Sequence, residues 1–134
     1  MAATNRPFDL DEAALRRLTR RIYLPLPDSV ARKAMIQKKL EGVNHSFENE
    51  EQVEDIVKLT EGYSAADLVF FCKEAAMMPL REIPTEELLK MPNTDSVRKV
   101  NLSDFTKAKK NVQPSVSKHT ILEFEAWQRE KAGV

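Results

Sequence analysis

The stretch Gly62-Tyr63-Ser64-Ala65-Ala66-Asp67-Leu68 opens the most strongly marked helix of the chain. Ser64 and Asp67 have the spacing of a capping box. The serine hydroxyl accepts from an orphan N–H of the first turn, and the acid reaches back to the backbone of the cap. Leu68, Cys72, Ala75, Ala76 and Met77, widened by Val69 and Phe71, are the expected buried face. Pro79 lacks an N–H and crowds the preceding turn, so it is expected to kink or end the helix.

Working outward, the remaining signals are also helical. Asp28 is positioned to cap a helix reaching about Glu41 and stopping at Gly42, with Val30, Ala34, Met35, Ile36 and Leu40 as its apolar face. A second helix is expected over Glu50 to Thr60, with Val53, Ile56, Val57 and Thr60 at helical spacing and Gly62 behind it. Thr85 to Met91 reads as a short helix and Pro92 to Lys99 as a loop. Asn101 or Ser103 caps a further helix with Phe105, Ala108 and Val112 inward. After the break Pro114-Ser115-Val116-Ser117, Ser117 caps a last helix bearing the stripe Ile121, Phe124 and Trp127. The end from Arg129 is expected to fray. At the front, Asp9 to Leu15 reads as a short helix capped by Asp9 or Asp11. Arg21-Ile22-Tyr23-Leu24 has a β-like pattern cut off by Pro25 and Pro27. The expected fold is mainly α: a compact helical domain behind a short α/β segment.

Composition narrows the function. Among 134 residues, 21 Lys and Arg balance 21 Asp and Glu, which argues against a nucleic-acid surface built on bulk positive charge. A lone cysteine, Cys72, allows no internal disulfide and fits a reducing compartment; its apolar setting suits a small buried hydrophobe better than a nucleophile. His45 and His119 lie in or beside polar loops. No apolar run reaches transmembrane length and no signal peptide opens the chain.

Two places carry candidate chemistry. Asn5 alone is a turn residue. Between Ala3-Thr4 and Arg6-Pro7 it reads instead as a polar probe, since an amide can hydrogen-bond a γ-phosphate or orient the attacking water. Arg16 and Arg17 alone are a solvated basic helix end interacting with the dipole. A guanidinium, however, stays charged and presents a planar fork that suits charge growing on a transferring phosphoryl group. The cluster Arg16, Arg17, Arg20 and Arg21 becomes specific when followed by Ile22-Tyr23-Leu24-Pro25-Leu26-Pro27. A phosphate loop G-x-x-x-x-G-K-[S/T] does not occur in the sequence, nor does a hydrophobic run ending in paired acids.

Taken together, these motifs resemble the C-terminal part of an AAA ATPase, over nearly the whole chain. Ala3 to Arg21 is similar to the family's sensor 1 and second region of homology. By position Asn5 matches sensor 1, and Arg16 and Arg17 match the arginine fingers. Gly62 to Leu68 is similar to the sensor 2 region, which places Gly62, Ser64, Ala65 and Ala66 beside the adenine. Within the family, Arg21 to Pro27, Pro79-Leu80-Arg81-Glu82 and Pro114 to Ser117 resemble the meiotic clade of spastin, katanin, fidgetin and the vacuolar-sorting ATPase. The short span from Ile83 to Leu102 leaves no room for the long hairpin of the vacuolar-sorting member, which favours the microtubule-severing members. Ala65 stands where the family usually has Gly, Leu18 where Phe is common, and Glu130-Lys131-Ala132-Gly133 where a Phe-Gly ending is usual.

The resemblance implies that residues 1–27 are the edge of a large ATPase domain, 28–112 a helical lid and 113–134 a docking helix. It further implies a hexameric parent that uses ATP and magnesium to remodel a protein, with tubulin or microtubules as partner, no nucleic acid, and a cytoplasmic location associated with the cytoskeleton. On this reading the chain alone lacks the phosphate loop and is inactive, monomeric, and without a bound cofactor. The alternatives are a vacuolar-sorting ATPase or a non-catalytic helical interaction module. A phosphate loop encoded upstream of Met1 excludes the interaction module.

Overall fold

The computed structural model describes residues 1–132. It contains seven α-helices among those residues: α1 (Glu12–Arg17), α2 (Ser29–Leu40), α3 (Glu50–Leu59), α4 (Ala65–Arg81), α5 (Thr85–Leu88), α6 (Leu102–Asn111) and α7 (Lys118–Trp127). The chain divides into two compact units. One is Leu26–Val116; the other joins Met1–Pro25 to the segment from Ser117 onward.

In the unit Leu26–Val116, α4 packs against α6 and α2, and α3 packs against α2 and α6. Phe71 of α4 lies at the centre, with no exposed surface. Its ring meets Tyr63 edge-on at 5.6 Å and Phe105 of α6 at 5.4 Å, and Phe105 in turn meets Phe47 at 5.8 Å. Such offset edge contacts suit the ring quadrupole and bury large apolar area. Ile36, Ile56, Leu68, Ala75 and Ala108 fill the space around them.

The helix starts follow the expected chemistry. Asp28 caps α2 through Ala31 N, Asn49 caps α3 through Gln52 N, and Ser64 with Asp67 closes the capping box of α4. Of the two candidate caps for α6, Asn101 is used, in a second capping box with Asp104. Ser117 caps α7 through Thr120 N.

Several faces differ from the sequence reading. On α2, Val30 is 75% exposed and Ala34 is exposed, while Arg32 is buried with Ile36 and Leu40. The guanidinium is tolerated because Nε donates to Thr60 Oγ1 at 3.1 Å and Nη1 to Pro27 O at 3.1 Å. On α4 the buried face is Leu68, Phe71, Cys72, Ala75 and Pro79, while Val69 and Met77 are exposed. The helix continues through Pro79 to Arg81; the proline gives up the N–H that would bond Ala75 O, and the helix ends two residues later.

In the other unit, a 3-10 turn over Pro7–Asp9 precedes α1, which is capped by Asp11 through Ala14 N. Residues 21–24 form no strand. A strand requires a pairing neighbour; none exists among the described residues, and Pro25 lacks a donor. The α component of this segment is therefore present and the β component is not. Phe124 of α7 stacks with Phe8 at 5.7 Å and with Tyr23 at 5.9 Å. A π-helical turn follows over Gln128–Ala132; Gly133 and Val134, the end of the expected frayed tail, lie outside the described residues.

The burial pattern sets a contrast that chemical denaturation can read. Phe71→Ala should destabilise by about 3–5 kcal/mol. Val30→Ala should cost less than about 0.5 kcal/mol, because its side chain is solvated and Ala favours helix. Equal losses from the two would contradict this orientation of α2.

Candidate functional site

The candidate residues fall into two groups, one in each unit. The first surrounds the start of α4. Gly62 has φ of +81°, a left-handed conformation that glycine adopts without steric cost. The chain turns there, sending Tyr63 inward and Ser64 into the cap. Tyr63 is fully buried; its hydroxyl donates to Val112 O, and Lys109 Nζ sits 4.2 Å above its ring. The Asp67 carboxylate accepts from Ser64 N, Ser115 N and Ser115 Oγ, each at 3.0 Å. Burial pushes this carboxyl up, but the donors at Ser115 and Ser64 outweigh it and hold the pKa below its ordinary value. Tyr63 and Asp67 thus fix the inner side of the helix start, while Ala65 and Ala66 stay exposed. This edge carries only the methyl side chains of Ala65 and Ala66 and lies at the positive end of the helix dipole.

The second group is in the unit containing the N-terminal segment. Asn5 is exposed, in a bend where Arg6 N donates to Thr4 Oγ1 at 3.0 Å. Arg16 and Arg17 are exposed in the last turn of α1. Arg16 lies along the helix within 3.4 Å of Glu12, an exposed pair that holds it weakly. Arg21 is half-buried and donates from Nη2 to Leu15 O at 3.0 Å, bracing the chain against the end of α1. The four arginines therefore divide: Arg16, Arg17 and Arg20 face solvent, and Arg21 is a strut.

Elsewhere the titratable groups are structural. Arg98 grips Glu82 at 2.6 Å and the fully buried Asp104 at 2.8 Å. Burial raises the Asp104 carboxyl, and the Arg98 guanidinium with Asn101 N–H outweighs it to hold the pKa low. Burial pushes the Cys72 thiol up to about 11, so it carries no thiolate at neutral pH. Among the described residues no group of three His, Cys, Asp or Glu could hold a metal ion.

Comparison with known proteins places this arrangement. The family described as AAA+ lid domain matches residues 50–96, from α3 to the loop before Arg98. The spastin of Naegleria gruberi is 44% identical over 127 residues, covering 95% of this chain and 24% of that protein. The crystal structure of the FIGL-1 AAA domain in complex with ADP aligns with a TM-score of 0.90 at 37% identity, over 98% of this chain and 44% of that one. A structure that addresses katanin self-assembly aligns with a TM-score of 0.80 at 39% identity, over 94% and 45%. The chain carries an AAA+ lid domain and is similar over most of its length to a spastin and to the FIGL-1 and katanin structures. It spans about a quarter of the spastin and less than half of each solved chain.

Against the nucleotide that an AAA+ lid domain implies, the residues present fit on one side only. The open helix start at Ala65 and Ala66 suits the approach of a base. The sequence has no phosphate loop, and the described residues offer no metal cluster.

Three features of the chain are not legible in its sequence. The capping role of Asp67 is local and legible, but its bonds to Ser115 cross 48 residues. Arg32 is masked by its charge. The partners of Phe124 lie at the other end of the chain.

Asp67 has a pH signature. Its folded pKa lies below the unfolded value, so its stabilisation is present above about pH 4 and is lost as pH falls through the folded value. Asp67→Asn should lose roughly 1–3 kcal/mol at pH 7, with the gap from wild type closing as the solution is acidified below about pH 4. Urea denaturation at pH 7 and pH 3 checks this; a gap of equal size at both refutes the assignment.

Proposed function

We propose that this chain is the lid and flanking segments of a hexameric AAA ATPase of the microtubule-severing type. The carrying observation is the alignment, over 98% of the chain, with an AAA domain solved with ADP. The open start of α4 supports a lid that lies along a bound base. Gly62 makes the turn, Ser64 caps the helix, and Ala65 and Ala66 leave its edge accessible.

In this reading Asn5 senses the terminal phosphate of its own subunit's ATP. Arg16 and Arg17 reach the nucleotide of the neighbouring subunit and offset the charge developing on the transferred phosphoryl group. Their exposure at the end of a short helix suits action outside their own subunit. ATP and magnesium are held by the large domain, and their chemistry is supplied there. A solved structure on katanin self-assembly among the similar proteins supports an assembly of copies. Between the end of α4 and the start of α6, residues 83–101 hold only α5, loop and the isolated bridge of Val100 to His45, which favours the severing type over the vacuolar-sorting type. We place the protein in the cytoplasm, acting on tubulin. No helix of the described residues is long and apolar enough to cross a membrane.

The test uses the full-length ATPase. Arg16→Ala and Arg17→Ala should each lower the hydrolysis rate by about a thousandfold or more, while the affinity for a fluorescent nucleotide changes little. Mixing either variant with one dead in its phosphate loop should restore activity. Retained hydrolysis in the arginine variants refutes the assignment.

A further inference from the structure

The arginine pair sits on a segment that cannot hold itself. α1 has six residues and none of them is buried. A helix this short is marginal without tertiary support. The 3-10 turn before it is three residues long, and residues 18–25 after it are irregular.

The support comes from the far end of the chain. Phe8 precedes α1 and Tyr23 follows it, and both rings stack on Phe124, with interplanar angles of 20° and 26°. A ring on α7 thus bridges both ends of the loop from Phe8 to Tyr23, with Phe8 itself 53% exposed and Pro7 beside it buried. Inside the loop, Arg21 donates to Leu15 O, one residue before Arg16. The bridge holds both ends of the loop, and the Arg21 strut holds its return limb against the helix end that carries the arginines.

We propose that Phe124 is a positioning residue for Arg16 and Arg17, and that α7 acts on hydrolysis through this clasp. The inference rests on the reading of Arg16 and Arg17 as trans-acting fingers. A displacement of about 1 Å at groups that meet a reacting phosphoryl can cost about a hundredfold in rate. The ring is what matters: an aromatic substitute keeps the stack, and an aliphatic one of similar bulk does not.

Two measurements test it. On the 134-residue chain, Phe124→Leu should speed tryptic cleavage after Arg16, Arg17 and Arg20 by about tenfold through local opening. Cleavage within Leu26–Val116 should be unchanged. Phe124→Tyr should stay near wild type. An unchanged rate at the arginines in Phe124→Leu overturns the clasp, as does equal acceleration everywhere.

In the full-length ATPase, Phe124→Leu should lower hydrolysis by about 10- to 100-fold with nucleotide affinity retained. Activity should recover on mixing with the phosphate-loop-dead variant, and Phe124→Tyr should restore it alone. Combining Phe124→Leu with Arg17→Ala should add nothing to the Arg17→Ala loss. Full activity in Phe124→Leu beside inactive Arg16 and Arg17 variants overturns this inference and leaves the finger assignment standing. Active arginine variants overturn the finger assignment itself, and the proteolysis result then decides the clasp separately. Should Phe124→Leu fail to fold, Phe8→Leu, which removes one ring of the stack, carries the same expectations.

Discussion

Oδ2 of Asp67 accepts three hydrogen bonds, one from the cap of its own helix and two from Ser115. A buried carboxylate is costly unless such donors replace its water, and charge-assisted bonds are the strong kind. The consequence is a joint. The start of α4 and the segment leaving α6 cannot separate without exposing an unmet charge. Tyr63, four residues earlier, makes the same connection from the apolar side through Val112. The edge at Ala65 and Ala66 is backed by both of these connections.

How far the sequence showed this depends on distance along the chain. The caps at Asp28, Asn101 and Ser117 were readable, because each acts within one turn of itself. Helical faces were readable where the pattern was simple, as at Val53, Ile56 and Val57. They were misread where a polar residue found distant acceptors or where apolar residues were in excess. Arg32 enters the core because Thr60 Oγ1, 28 residues away, is there to meet it. Val30 and Met77 are apolar and solvated, and periodicity alone could not choose between them and their neighbours.

The candidate site was legible in a different sense. Asn5, Arg16 and Arg17 carry no local signature that separates them from a turn residue and a basic helix end; the surrounding motif singled them out. The structure adds what no motif states, that Arg21 is a strut while Arg16 and Arg17 are open to solvent. The two aromatic clusters show the same limit. Phe47 of the loop before α3 meets Phe105 of α6, which meets Phe71 of α4, and Phe8 and Phe124 meet across nearly the whole chain. Each ring announces burial in the sequence, but none announces its neighbour.

The grip of Arg98 on Glu82 and Asp104 reaches beyond the ion pairs. Glu82 follows the last residue of α4, and Asp104 lies in the first turn of α6. One guanidinium therefore fastens both ends of the segment between those helices, in a plane that fits both carboxylates. With its ends held, the length of that segment is thermodynamically almost free, since doubling a loop costs only about 0.6 kcal/mol in closure entropy. Evolution can lengthen this connection, or graft a new element into it, without disturbing the helices on either side.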